Sequence, residues 1–423
     1  MLSVKKIGTA INTTLGYLYI AILYFLLVVL IYLNLRLYYR PTVESVGEDL
    51  VNKDLLNEAR SLRARMDQRV DIHMQQLYPE GYVFMNALYG LIWSEIAKTT
   101  TSNSEIHREA LVEIQRAFDN LENDLGKAPF EKDLPIPYGA FYGGWKHYLL
   151  GAKLSVETLA KANASEVAMY MKHCDRVAAI LQDTTVLYSP SYHGGIWPAD
   201  FLLNVAVLAQ HDQLFKPKYE SHIKNWVSRV QKKLDKYGLI PHHVKNVKGV
   251  VAESARGSSQ SLMLIFLIDI DREFALQQYE LYRALFQDVR VGIPVVLEYA
   301  QGSSGVGDVD SGPILLGAGA SASIVGMRTM KVYNDRNNYL GLRNAVEAFG
   351  VSQSLFGKKE YLFGKMPMAD AFIAWAHAQD SLLEGEVIDD APWRNKFFIY
   401  SILPGLLLVL LIIRYHGIMY SKT

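Results

Sequence analysis

Residues 83–97, VFMNALYGLIWSEIA, and residues 104–123, SEIHREALVEIQRAFDNLEN, are neighbours in the sequence and carry opposite kinds of helical signal. In the second, Ile106, Leu111, Ile114, Phe118 and Leu121 recur at helical spacing, with charged residues filling the other faces. That pattern is a helix with one face in water. Ser102 and Glu105 stand at capping-box spacing in front of it. The first stretch is apolar nearly all round, as a helix buried on every side must be. An amphipathic helix beside an all-apolar one reads as an outer and an inner member of a packed structure.

The alternation continues along the chain. Residues 217–236 open with Pro217 and carry the stripe Tyr219, Ile223, Trp226, Val227, Val230 and Leu234. FLLNVAVLA at 201–209, SLMLIFLI at 261–268 and PILLGAGASASIVG at 313–326 are apolar or small throughout. Helices are expected near 45–70 and 82–98, 103–123 and 143–161, 164–182 and 199–213, 217–236 and 255–269, 271–288 and 312–331, and 337–350 and 368–380. Links after a buried member are short. Most links before one are long and rich in Gly, Pro and Tyr: 124–142, 183–198, 237–254, 289–311 and 351–367. Loops of that length inside a compact domain are usually functional. The expected fold is therefore all-α: an (α/α)6 toroid of about twelve helices, six outer around six inner, with the long loops at one end. The competing layouts are an irregular bundle and an open solenoid; a solenoid should show a sequence repeat, and none is visible.

Both ends are hydrophobic. Residues 15–35 hold no charge over 21 positions, which at about 1.5 Å per residue spans roughly 30 Å, the hydrocarbon core of a bilayer. Tyr17, Tyr19, Tyr32, Tyr38 and Tyr39 crowd its ends, as interfacial aromatics do. No small-residue cleavage site follows before Pro41, so an uncleaved anchor is expected rather than a signal peptide. Residues 397–413 form a second uncharged run of 17, with Pro404 and Gly405 inside it and Trp393 and Tyr415 flanking it. The division is then 1–40 as the N-terminal transmembrane anchor, 41–393 as the toroid, and 394–423 as a C-terminal transmembrane helix and tail. Lys5 and Lys6 against Arg36, Arg40 and Lys53 nearly balance the positive-inside count. The expectation is an integral protein of the inner or plasma membrane, with a cytoplasmic N-terminus and the helical domain on the extracytoplasmic side.

The 423-residue chain has zero formal net charge, which gives no reason to expect a nucleic-acid partner. Its single cysteine, Cys174, can build neither a disulfide framework nor a cysteine metal site. Adjacent His242 and His243 diverge and have no third ligand at helical spacing, so no metal is expected. Gly302 to Gly307 is glycine-rich, yet no Lys-Ser or Lys-Thr follows it, so it is not a phosphate cradle. No cofactor is expected.

Reactive and aromatic residues concentrate in the long loops. The candidate catalytic groups are Asp310, Glu298, Asp308, Asp200, Glu253 and His193; the candidate substrate-binding groups are Tyr138, Tyr142, Tyr192, Trp197, His242, His243, Arg256 and Tyr299. Flat aromatic faces stack on sugar rings, and glycoside cleavage needs two carboxyl groups flanking the scissile bond, one of them held protonated. Asp310 is the first candidate acid, because it precedes a Ser-Gly-Pro helix start; it also suits an N-cap there. Asp200 and Asp370 likewise lie near helix starts, and Arg256 also suits a buttress for a loop carboxylate.

The alternating architecture resembles the six-hairpin glycosidase and terpenoid-cyclase toroids. Trp197-Pro198-Ala199-Asp200 with Asn204-Val205, and Gly307-Asp308-Val309-Asp310-Ser311-Gly312-Pro313, are similar to motifs of the bacterial linalool dehydratase-isomerase-like family. Ala199 stands where that family would carry a loop cysteine, so the resemblance does not extend to a cysteine mechanism. Three functions follow: a membrane-anchored glycan-active enzyme of the hydrolase or lyase type, an isomerase or dehydratase of a lipid-like alcohol, and a non-catalytic glycan-binding subunit of a cell-envelope polysaccharide complex. The expected partners are the bilayer, a carbohydrate or lipid-linked glycan, and other membrane subunits.

Overall fold

A computed structural model describes residues 2–157, 162–309, 311–379 and 392–420. The chain is mostly helical. Among the described residues there are sixteen α-helices and five two-stranded antiparallel hairpins. In chain order the helices are α1 Leu2–Arg36, α2 Lys53–Asp67, α3 Val70–Leu77, α4 Gly81–Thr99, α5 Glu105–Glu122, α6 Asp124–Lys127, α7 Gly139–Val156 and α8 Ala164–Gln182. There follow α9 Pro198–Leu214, α10 Glu220–Val230, α11 Gly257–Ile270, α12 Arg272–Phe286, α13 Ala320–Val332, α14 Arg336–Phe349, α15 Pro367–His377 and α16 Pro392–Tyr420.

The most deeply buried helices pack on one another in a closed sequence of contacts. α4 lies against α7, α7 against α9, α9 against α11, α11 against α13, α13 against α15, and α15 against α4 again. The amphipathic helices cover them from outside: α2 on α15 and α4, α5 on α4 and α7, α8 on α7 and α9, α12 on α11, and α14 on α13. Four of the inner helices meet in one aromatic core. Trp145 of α7 makes edge-on contacts with Phe84 of α4, Phe266 of α11 and Trp375 of α15, at 5.3, 6.0 and 6.1 Å between ring centroids. Edge-on packing sets the positive rim of one ring against the negative face of another, and such large side chains fill the space where the inner helices converge.

Two helices are long and apolar enough to cross a membrane: Thr14–Arg36 within α1, 23 residues, and Pro392–Ile418 within α16, 27 residues. They lie side by side through Ile20, Leu23 and Ile412. Polar side chains tie them together as well, with Asn34 Nδ2 donating to Ser401 Oγ at 3.1 Å. Inter-helix hydrogen bonds of this kind are favoured where water is scarce.

Several boundaries differ from the sequence expectation. α2 begins at Lys53 rather than near 45, because 43–52 pairs with itself as β1 (Val43–Val46) and β2 (Asp49–Asn52), and Asn52 then caps the helix. The cap of α5 is Ser104, whose Oγ accepts from His107 N at 3.1 Å; Ser102 lies outside it. Pro217 precedes α10 rather than opening it. That helix stops at Val230, and Asp235 gathers the following turn by accepting from Tyr237 N and Leu239 N at 2.8 and 3.0 Å. The run at 313–326 is only partly helical: β7 (Ile314–Leu315) pairs with β8 (Ala318–Gly319), and α13 starts at Ala320. Gly317 at φ +83° takes a backbone shape open to glycine and closed to a helix interior. The remaining hairpins are β3–β4 (His243–Val244, Val251–Glu253), β5–β6 (Gln287–Arg290, Ile293–Val296) and β9–β10 (Gln353–Leu355, Lys358–Glu360), all in segments read as loops or helix ends. Residues 158–161 and 380, expected as helix ends, lie outside the described residues.

Candidate functional site

The long loops emerge at the N-termini of the inner helices, and their most tightly knit cluster centres on Arg256, the residue before α11. Gly257 N donates to the Glu298 carbonyl at 2.8 Å, which lays the 297–298 backbone across the first turn of α11. A Cβ at Gly257 would collide with the Leu297 carbonyl. The crossing puts the Glu298 carboxylate beneath Arg256: Arg256 Nε donates to Glu298 Oε1 at 2.8 Å and Ser258 Oγ donates to the same oxygen at 2.7 Å. The other Glu298 oxygen is buried with no hydrogen-bond partner. It faces the backbone of Gly319, where a Cβ would stand 2.8 Å away.

The outer side of the guanidinium holds Asp308. Arg256 Nη2 donates to Asp308 Oδ1 at 3.0 Å and Nη1 to Asp308 Oδ2, a bidentate pair. Ser311 N donates to Asp308 Oδ1 at 3.1 Å and fixes the carboxylate from the loop side. His242 Nε2 lies 3.5 Å and Glu253 Oε1 3.8 Å from Arg256 Nη1, and the Tyr299 ring lies 5.6 Å from the guanidinium carbon. One buried cation thus organises three carboxylates, an imidazole and a ring.

The environments of these groups diverge. Burial pushes the Glu298 carboxyl up from its usual range, and the Ser258 hydrogen bond and the Arg256 charge only partly oppose it. Burial works the same way at Asp308, but there the hydrogen bond and charge of Arg256 win and hold it below the usual range. His242 is pushed down to about 4, first by burial and then by the Arg256 charge, so it is neutral at pH 7.

The other site residues suggested by the sequence fall into three groups. Tyr192, Trp197 and His243 continue the cluster along the loop end. Trp197 lies 5.2 Å from His243 and 6.0 Å from Tyr192, ring to ring. Tyr192 stacks on Phe130 at 5.5 Å, and its hydroxyl donates to Glu80 at the start of α4. Residues from four loops therefore make a continuous line from Glu80 to Asp308. Tyr138 stands just before α7 with φ +66° and meets the ring of Tyr142 edge-on at 5.6 Å. A second group is structural. Tyr142 is buried and its hydroxyl donates to the Leu121 carbonyl at 2.7 Å, so it belongs to the core rather than to a binding surface. Asp200 is not the N-cap residue, which is Trp197; it lies in the first turn of α9, accepts from Ser191 Oγ at 2.5 Å and holds the third loop there. His193 is peripheral and exposed, 3.1 Å from the equally exposed Asp133. Asp310 lies outside the described residues, and α13 does not begin just after it, so the reason for expecting it at a helix start is gone.

Sequence reasoning missed two features. A cavity of about 510 Å³ lies beside Tyr299, walled by Arg290, Leu297, Ser303, Ile314 and Gly317 among others. Its wall comes from residues 288–305 with Ile314 and Gly317, a loop-rich stretch with no helical or strand period to read. The second is a buried ionic cluster between α2, α14, β10 and α15. Lys359 Nζ bonds Glu347 and, at 3.0 Å, Asp54; Tyr361 donates to Glu58 and Glu347 at 2.8 and 2.9 Å; His377 Nδ1 lies 3.0 Å from Glu58. Glu58, Glu347 and His377 could together ligate a metal ion. The Lys359 ammonium, 3.8 Å from Glu58 and bonded to Glu347, stands where a cation would sit. These residues are scattered singly through 54–377, so no local motif announces them. No protein-family model and no curated protein matches this sequence.

Proposed function

We propose that the chain is a membrane-anchored protein whose helical domain, residues 41–393, is an (α/α)6 toroid that binds and processes a glycan at its loop end. The closed run of contacts from α4 around to α15 and back supports ring closure. Residues 1–40 and 394–423 supply the spans, and the near balance of flanking Lys and Arg leaves the translocation of the large domain to set an extracytoplasmic orientation. The observation that carries the reading is the continuous line Tyr192–Trp197–His243–His242–Arg256–Asp308, in which flat rings pass directly into fixed charges. Rings offer stacking to the C–H faces of a sugar, and carboxylates accept its hydroxyl protons. The cavity beside Tyr299 is open and mixed in character: Gln301, Ser303, Ser304 and Arg290 offer hydrogen bonds to hydroxyls, and Leu297, Ala300 and Ile314 offer apolar contact.

In an enzymatic cycle Asp308, ionised and half-exposed, is the base or nucleophile, and Glu253 is the exposed partner across Arg256. Glu298 has no solvent access and acts by positioning Arg256. Retention or inversion depends on the carboxyl separation once substrate is bound.

A second reading, a non-catalytic glycan-binding subunit, has its own support: Arg256 already occupies both oxygens of Asp308 and one of Glu298. Both are tested with the full-length chain in detergent, screened against oligosaccharides for binding and for product. Trp197→Ala should weaken binding in either case. Asp308→Asn should abolish turnover while sparing binding if the protein is an enzyme. Binding with no turnover by the unaltered chain leaves the subunit reading; absence of both sinks the glycan assignment.

A further inference from the structure

Three hairpins end in turns that contradict their own local chemistry. β5–β6, β7–β8 and β9–β10 close on Val291-Gly292, Leu316-Gly317 and Phe356-Gly357. Both residues of each turn have positive φ: +50° and +83°, +52° and +83°, +52° and +72°. Such turns are normally Asn-Gly or Asp-Gly, since asparagine and aspartate enter the left-handed region with the least strain. Bulky and β-branched side chains are strained there. Yet Val291, Leu316 and Phe356 stand in the open, 56%, 64% and 101% exposed. The turn of β1–β2, Gly47-Glu48, is polar, so apolar tips are not a general habit of this chain.

Their location supplies the explanation. The β5–β6 turn lies against the first turns of α16: a Cβ on Gly292 would stand 2.5 Å from Phe397 N. Arg290 Nε donates to the Leu316 carbonyl at 2.9 Å, which draws the second tip beside the first. The third hairpin starts just after Ser352, which bonds Arg36 at the end of α1. Half-exposed Phe349 meets Phe397 edge-on at 6.2 Å. The first two tips therefore lie where α16 leaves the domain, and the third hairpin, whose tip stands beside Asn57 of α2, rises from the point where α1 leaves it. Exposed Lys358 and Lys396 flank them, as basic residues do at the level of lipid phosphates.

We propose that Val291, Leu316 and Phe356 enter the interfacial layer of a lipid bilayer and seat the loop end of the helical domain on the membrane. This rests on reading α1 and α16 as spans. Segment 287–319 carries two of the tips together with Glu298 and Asp308, and the cavity beside Tyr299 is walled by Arg290 and Gly317, so the site opens at the lipid surface. The substrate class that suits it is a glycan carried on a lipid.

The test uses the full chain in lipid nanodiscs, with an environment-sensitive fluorophore on single introduced cysteines; native Cys174 is fully buried. Labels go to Leu316→Cys and Phe356→Cys, with Val112→Cys on exposed α5 as the water reference and Leu403→Cys in α16 as the lipid reference. Lipids carrying a quencher near the head group should quench 316 and 356 several-fold more than 112. If 403 is quenched by lipid while 316 and 356 behave like 112, the seat is overturned and the spans stand. If 403 also behaves like 112, the anchor reading fails with it. Shielding of 356 from a water-borne quencher without quenching by lipid would mean a protein partner or a second copy, and also overturns the proposal. Combined Val291→Asn, Leu316→Asn and Phe356→Asn guards against misfolding: it suits the turns and should raise the unfolding temperature in detergent, yet lower lipid quenching of a label at Leu362→Cys.

Discussion

Replacing Lys359 with methionine should be among the most damaging single changes in the chain. Lys359 is 2% exposed and bonds Glu347 and Asp54, with Glu58 at 3.8 Å. Methionine keeps the stem's bulk and removes only the charge. Three buried carboxylates then lose a shared partner, leaving Arg36 against Glu347 at 2.8 Å and Arg343 against Asp54 at 3.9 Å. Breaking one buried pair costs about 3–5 kcal/mol, mostly because the remaining charge is stranded. At roughly 2 °C per kcal/mol for a domain of this size, the apparent Tm should fall by about 6–10 °C. The cluster joins α2, the first outer helix, to α14 and α15, the last pair, so hydrogen exchange should accelerate in α2 and α15 before it does in α7 or α9. Adding Glu347→Gln should recover part of the loss, since it removes one stranded charge. A Tm drop below about 2 °C for Lys359→Met, or no recovery in the double variant, would refute the claim that this ion cluster holds α2 to α14 and α15.

Four further outcomes follow from individual side chains. Burial opposes ionisation of Glu347, but the Lys359 charge outweighs it and lowers the carboxyl to about 2; its stabilising contribution is therefore present above the unfolded value of about 4.3 and lost as pH falls toward 2 in acid-unfolding titrations. Asp370 is the reverse case: burial raises it to about 7, so its contribution is present below about 3.9 and lost as pH rises through 7, and Asp370→Asn should gain on the order of 1–4 kcal/mol at pH 8 with little gain at pH 4. Arg256→Gln should cost about 3 kcal/mol in denaturant unfolding, and Glu298→Gln in the same chain should restore much of it, because the charge stranded on a fully buried carboxylate is gone. Tyr142→Phe should lose about 1–2 kcal/mol by orphaning the Leu121 carbonyl, with unchanged glycan binding.

Helix pairing was legible because burial on all sides and burial on one side leave different residue patterns. FLLNVAVLA and the stripe through Ile106 and Phe118 became helices with those burials. Boundaries were less legible where short-range chemistry competes. Gly317 and Gly319 turn an apolar run into a hairpin before α13 can begin, and strands of two to four residues are too short to show a period. Of the site, the grouping of Trp197, Arg256, Glu298 and Asp308 was readable from loop position alone. The role of each was not, since Tyr142 and Tyr192 are the same residue type in neighbouring aromatic-rich stretches, yet Tyr142 falls in the first turn of α7 and Tyr192 in the loop before α9. Their difference lies in which backbone carbonyl or carboxylate is within reach, and that is set only by packing.

The strained hairpin tips and the ionic seam share a logic. A left-handed backbone costs a side chain other than glycine roughly 1–2 kcal/mol, so Val291, Leu316 and Phe356 each work against folding in water. The buried carboxylates near Lys359 carry a desolvation cost as well, which only their charged partners outweigh. Both sets lie where α1 and α16 join the helical domain: Arg36 and Tyr39, at the end of α1, reach Glu347 and Asp54 directly. Local chemistry that is unfavourable in isolation is retained where the surroundings over-determine it. Here those surroundings include the two apolar helices, so they act as part of the packing of α2, α14 and α15, and the proposed lipid contact at the tips and the geometry around Arg256 are tied through one continuous segment, 287–319.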